Sequence, residues 1–171
     1  MDRGYLTRTE IQTLMDAPMK NATHELVRDL FVFSVFTGLA YSDVKNLTAD
    51  RLQTFFDGNL WIITRRKKTN TESNIRLLDV PKRIIEKYKG LARDGHVFPV
   101  PSNGSCNKIL KEIGRQCGFK VRLTYHVASH SKFFYLLNIS ELSILKNVTA
   151  NDLETSYILF LSQLCNIQRT L

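Results

Sequence analysis

Apolar residues recur at helical spacing through the first fifty positions, switch to an extended pattern near residue 60, and return to helical spacing from about residue 81. Thr7-Arg8-Thr9-Glu10 is a capping box, in which the Thr7 hydroxyl accepts from the Glu10 amide while the Glu10 carboxylate reaches back. Leu6 and Ile11 fit a hydrophobic staple around it, and the helix stops near Asp16, ahead of Pro18. A second helix starts at Asn21 or Thr23 and carries Leu26, Leu30, Phe31, Phe33, Val35 and Phe36. Apolar side chains nearly all round it predict a central, buried helix, which Gly38 ends in a left-handed cap. Ser42 to Leu47 reads as a short helix capped by Ser42.

Leu60-Trp61-Ile62-Ile63 is aromatic and β-branched and predicts a strand. Arg65 to Asn74 reads as a basic turn, and Asn74 to Leu78 as the returning strand of a hairpin. Pro81 suits a helix start, with Ile84, Ile85 and Tyr88 as its inward stripe and its end near Gly90. Val97 to Pro101 is an extended link, and Ser105 to Gln116 a helix with Ile109, Leu110 and Ile113 inward and Gly118 at its end. Further helices are predicted over Leu123–Leu137, Ser140–Lys146 and Asp152–Leu164. The expected fold class is mainly α with one small antiparallel β-sheet (α+β), in a single domain over residues 1–171 without repeat or linker.

Composition narrows the function. With 43% apolar and 23% charged residues, the 171-residue chain is an ordinary globular domain, which excludes disorder and low complexity. Its longest apolar stretch, Leu30 to Val35, is interrupted by Ser34 and far too short to cross a bilayer, and the N-terminus has no apolar signal core. Cys106, Cys117 and Cys165 are an odd count without a CxxC, so they read as reduced, cytosolic thiols, neither a disulfide framework nor a zinc site. The net charge of +8 is segregated: residues 51–132 carry 17 Lys/Arg against 6 Asp/Glu, while both ends are slightly acidic. A basic block of this kind points to a polyanion, with nucleic acid ahead of a merely solvated surface. For Lys108, Lys111, Arg115, Lys120 and Arg122 the choice between a DNA-following stripe and an exposed amphipathic face stays open.

Several segments, in order, resemble one family. Thr37-Gly38-Leu39-Ala40 followed by a helix is similar to the first catalytic box of tyrosine recombinases (phage integrases), usually TGLR. Trp61 through Lys68 to Leu77 resembles that family's β-hairpin with its catalytic lysine, and His126-Val127-Ala128-Ser129-His130 its second box, usually HxxRH. The tail through Leu145-Lys146-Asn147 to Thr155-Ser156-Tyr157 is a fainter likeness of LGH followed by TTxxY. The resemblance covers residues 5 to about 160 and is closest to integrases of mobile elements in Bacteroides-type bacteria.

The resemblance implies a tyrosine-recombinase catalytic-domain fold, double-stranded DNA as partner, other recombinase subunits alongside, and bacterial cytoplasmic, nucleoid-associated localisation. No cofactor, metal or membrane is implied. In such enzymes a tyrosine attacks the scissile phosphate to give a 3′-phosphotyrosine, two arginines clamp the charge that builds on the phosphate oxygens, and a lysine or histidine protonates the leaving oxygen. Carried over residue by residue, Lys68 and His126 match catalytic positions. Ala40 and Ser129 stand where the two arginines would be, Asn147 where the LGH histidine would be, and Leu159 where the nucleophile would be. Tyr157 lies two residues before that position, roughly 160° away on a helix, and is a poor substitute nucleophile. Arg65, Arg66, Lys67 and Lys68 are the expected DNA contacts at the hairpin tip. His126 is equally a phosphate contact or a helix-start histidine with a local hydrogen bond.

Alanine and serine cannot replace a planar bidentate cation. The expectation is therefore a recombinase-family DNA-binding domain that is degenerate and deficient in cleavage. Two alternatives stand beside it: an active recombinase whose missing groups come from a rearranged tail or a partner, and a non-catalytic interaction module. A substituted active-site alanine is a further possibility for Ala40. The arm- and core-binding domains of full-length integrases are expected to be missing from this chain, as in an excised fragment or a truncated gene.

Overall fold

The computed structural model of the chain describes residues 4–56, 58–65, 72–128 and 131. Helix α1 (Arg8–Asp16) begins on the predicted capping box, with both reciprocal bonds formed between Thr7 and Glu10. Helix α2 (Ala22–Thr37) is capped by the Asn21 side chain, which accepts from the His24 amide. It runs through the centre of the structure: Val27, Leu30, Phe31, Phe33 and Val35 are buried, and it packs on α1, on α4 (Asp79–Tyr88) and on α5 (Asn103–Gln116). Gly38 closes it at φ 73°, a left-handed conformation that a side chain would strain by about 1–2 kcal/mol.

The short helix α3 (Tyr41–Lys45) is capped by Ala40, two residues before the predicted Ser42 cap. Alanine offers no side-chain acceptor, so the helix start relies on Asp43, whose Oδ2 accepts from the Ala40 amide at 3.4 Å. A turn of 3-10 helix (Ala49–Arg51) then leads into β1 (Leu52–Thr54). With β2 (Leu60–Arg65) and β3 (Glu72–Arg76) it forms a three-stranded antiparallel sheet in the order β1-β2-β3, with Ile62 opposite both Leu52 and Ile75. The predicted hairpin is thus present. Its pairing runs further toward the tip than expected, with Arg65 opposite Glu72, and Leu77 and Leu78 lie beyond β3. β1 was not anticipated.

Helix α4 starts at Asp79, two residues before Pro81; the proline sits in the first turn, where its missing N–H has no intrahelical acceptor to lose. Helix α5 is capped by Ser102, whose Oγ accepts from the Ser105 amide. The last described segment turns helical at 125 rather than 123: the chain ahead of it folds back on α5, where the Phe119 amide donates to the Gly114 carbonyl and Leu123 packs against Gly114. The predicted helices 140–146 and 152–164 lie outside the described residues. Among the described residues no helix is long and apolar enough to cross a membrane.

Candidate nucleic-acid interface

The sharp turn after α2 presents Ala40. The Thr37 hydroxyl donates to the Phe33 carbonyl at 2.8 Å and accepts from the Leu39 amide, which fixes the turn while Leu39 itself is buried. Ala40 emerges exposed at the cap of α3. Its neighbour Tyr41 turns inward, and the Tyr41 hydroxyl donates to the Pro101 carbonyl at 2.7 Å.

The second box is anchored by Tyr125. This ring is buried, its hydroxyl donates to the Leu30 carbonyl at 3.0 Å and accepts from the Ser34 hydroxyl at 2.9 Å, and its amide donates to Asn107 Oδ1 on α5. Ser131 pins the same segment from the far side, accepting from the Leu6 amide and donating to the Val127 carbonyl. His126, the next residue after Tyr125, is exposed on the first turn.

The two boxes meet through these tyrosines. The Tyr41 and Tyr125 rings contact edge to face, with centroids 5.4 Å apart. Ala40 and His126 are the immediate chain neighbours of that ring pair, so the two segments, distant in sequence, are joined through it. Lys45 adds a cation there, its Nζ 6.0 Å from the Tyr41 ring centre. Neither tyrosine is a free nucleophile, since both hydroxyls are committed to backbone carbonyls and burial raises both pKa values. Sequence reasoning gave Tyr41, Tyr125 and Asn107 no role. The only signal was an aromatic residue beside each box.

Of the predicted DNA contacts, Arg65 closes β2. Arg66, Lys67 and Lys68, and likewise Ser129, Asn147, Tyr157 and Leu159, lie outside the described residues. Cys106 and Cys117 are free thiols, and burial pushes Cys106 up to about 11. No metal-binding cluster occurs among the described residues.

These buried groups set an alkaline limit on stability. The unfolded chain releases the Cys106 proton near 9.0, whereas the folded chain keeps it to about 11. Between those values the unfolded state binds fewer protons, so stability falls as pH rises. Tyr88 and Tyr125, raised first by burial, act in the same direction above 10.0. Lys87 does too: burial lowers its pKa, but bonds to Asp29 and Glu25 outweigh that and hold its proton above 10.5. From Cys106 alone the expected loss is roughly 2 kcal/mol by about pH 10.5. Guanidinium titrations at neutral pH and at pH 10.5 check this; equal midpoints would contradict it.

No protein-family profile matches the sequence, and no curated protein does. Solved structures do. The XerH site-specific recombinase bound to difH substrate, in a pre-cleavage complex, superposes on 91% of this chain with a TM-score of 0.64 at 14% identity. The XerA recombinase superposes on 92% at 0.62 and 14% identity, and a lambda integrase dimer bound to a core site on 92% at 0.56 and 16% identity. The chain spans 54%, 65% and 59% of those three chains. Among the described residues, four helices around a buried α2, with a three-stranded antiparallel sheet between α3 and α4 in the chain, are thus the fold shared with the site-specific recombinases and integrases.

Proposed function

We propose that this chain is a DNA-binding domain of the tyrosine recombinase/integrase family, descended from DNA integration and site-specific recombination, that holds duplex DNA without cleaving it. The observation that carries the reading is the meeting of the two boxes at the Tyr41–Tyr125 contact, on a fold shared with recombinases solved on DNA, with an exposed methyl group at Ala40. Where that family clamps a phosphate with arginine, this chain presents a surface that phosphate can approach but that cannot stabilise its transition-state charge. Lys68 and its neighbours Arg65, Arg66 and Lys67 supply cationic contact from the hairpin in this reading, His126 touches the phosphate, and Ser129, Asn147 and Leu159 are lost catalytic groups.

Binding should be weak, nearly indifferent to sequence and steeply salt-dependent, because counterion release drives it. Fluorescence anisotropy on labelled duplexes across a salt series tests this, and affinity that stays flat with salt counts against it. Suicide substrates should yield no denaturation-resistant adduct. An adduct mapped to Tyr157 would instead establish an active recombinase with a rearranged tail.

A further inference from the structure

We infer that the groove between the C-terminal half of α5 and residues 119–123 is a second seat for the phosphodiester backbone of a nucleic acid, continuing a track that starts at the paired boxes. The inference rests on the DNA-binding reading and names a part of the surface that neither box nor hairpin includes.

The groove is a half-open cavity of about 370 Å³. Lys111 and Arg115 come from α5, Lys120 and Arg122 from the segment facing it, and among the described residues no carboxylate lines it. A glycine makes the arrangement possible. A Cβ at Gly114 would stand 3.0 Å from the Leu123 Cβ, so its absence lets the 121–123 segment close on the helix and brings the two pairs of cations to one cleft. Between α2 and α4, by contrast, Arg28 and Lys87 are neutralised by Asp29 and Glu25. Lys111, Lys120 and Arg122 form no ion pair with any described carboxylate.

Capping of α5 does not occupy these groups. The carbonyls of Ile113, Gly114 and Arg115 already accept from the amides of Cys117, Phe119 and Gly118. Arg115 spends only its Nε, on the Lys111 carbonyl at 3.2 Å, which leaves its terminal amino groups for a ligand and holds the guanidinium in place. Position gives the direction of the track. Asn107, whose side chain holds the Tyr125 amide, lies on the same stripe of α5 as Lys111 and Arg115. Those cations follow at about 6 and 12 Å along the helix axis. Phosphates of one strand rise by about 3.4 Å per nucleotide, so a strand at the boxes reaches the groove within a few nucleotides.

The test compares two charge-matched triple variants. Arg115→Gln/Lys120→Gln/Arg122→Gln removes exposed cations of the groove, and Arg83→Gln/Lys89→Gln/Arg93→Gln removes three exposed cations from α4 and the turn after it. Duplex binding is measured by anisotropy over a salt series, with melting temperatures to confirm that both variants fold. The groove variant should lower the slope of log affinity against log salt by roughly 2–3, with a loss of about tenfold or more at moderate salt, and the control by less than about 1. Equal effects in the two variants, or an unchanged slope in the groove variant, overturn the inference while leaving the DNA-binding reading intact. Loss of binding to a poly-glutamate probe with DNA binding unchanged would assign the groove to an acidic polypeptide and likewise overturn it. An unmodified chain that binds no duplex refutes the underlying reading as well.

Discussion

Asp29→Ala is expected to destabilise the protein by about 2–3 kcal/mol, because it removes the buried carboxylate at the centre of an ionic cluster whose outer members, Lys87 and Glu25, reach solvent. Asp29 is 7% exposed in the middle of α2. Its Oδ1 accepts from Arg28 Nε at 2.9 Å, and its Oδ2 from Lys87 Nζ at 2.7 Å and the Tyr88 hydroxyl at 2.8 Å. Alanine would leave the buried Tyr88 hydroxyl without its acceptor and Lys87 with Glu25 alone. Arg28, which also donates to the Met15 and Ala17 carbonyls at the end of α1, would lose the carboxylate that orients it. The effect therefore spreads over the α1, α2 and α4 contacts. A fall in melting temperature of roughly 5–10 °C is expected at this chain length. Asp29→Asn, which keeps an acceptor and the volume, should cost clearly less. Tyr88→Phe combined with Asp29→Ala should cost less than the sum of the singles, since both delete one bond. Additive single effects would mean that the hydroxyl contact carries no energy.

Asp29 also marks where sequence reasoning stops. Its helix reads as apolar nearly all round, and a carboxylate in the middle of such a helix offers no clue to Lys87 and Tyr88, which stand 58 and 59 residues later on α4. What was legible was local. The capping box at Thr7, the Asn21 start, the left-handed Gly38 and the β2–β3 pairing follow from side chains within a few residues of one another. β1 was not legible because Leu52-Gln53-Thr54 is too short to show alternation and becomes a strand only by pairing with β2. The α3 cap was missed for a related reason: Ser42 is the better capping residue, but Gly38 and the buried Leu39 fix where the chain re-enters a helix, and that point is Ala40. The candidate site was legible as two motifs. That they meet was not, since the contact is made by Tyr41 and Tyr125, residues that both patterns treat as filler.

Ala40→Arg should raise affinity for duplex DNA by roughly ten- to a hundredfold, the worth of one or two charge-assisted bonds to a phosphate. Ala40 is exposed at the start of α3, so a long side chain meets no packed neighbour that must move. The turn that presents it is held by Thr37 and the buried Leu39, and the Tyr41–Tyr125 contact ties that turn to the segment that carries His126. A guanidinium there is preorganised on rigid backbone, which favours bidentate capture of phosphate oxygens over loose attraction. Without DNA the change should cost little, within about 1 kcal/mol, because a cation at a helix N-terminus opposes the helix dipole. Its signature is thus a slightly lower melting temperature alone and a larger rise on adding DNA than the unmodified chain shows. Ala40→Gln, equally extended but uncharged, separates charge from reach and should recover little of the gain. Cleavage should remain absent, because one arginine supplies neither a nucleophile nor the second clamp. If Ala40→Arg binds DNA no better than Ala40→Gln, the meeting point of the two boxes is not a phosphate site, and the proposed placement of DNA on this face is wrong.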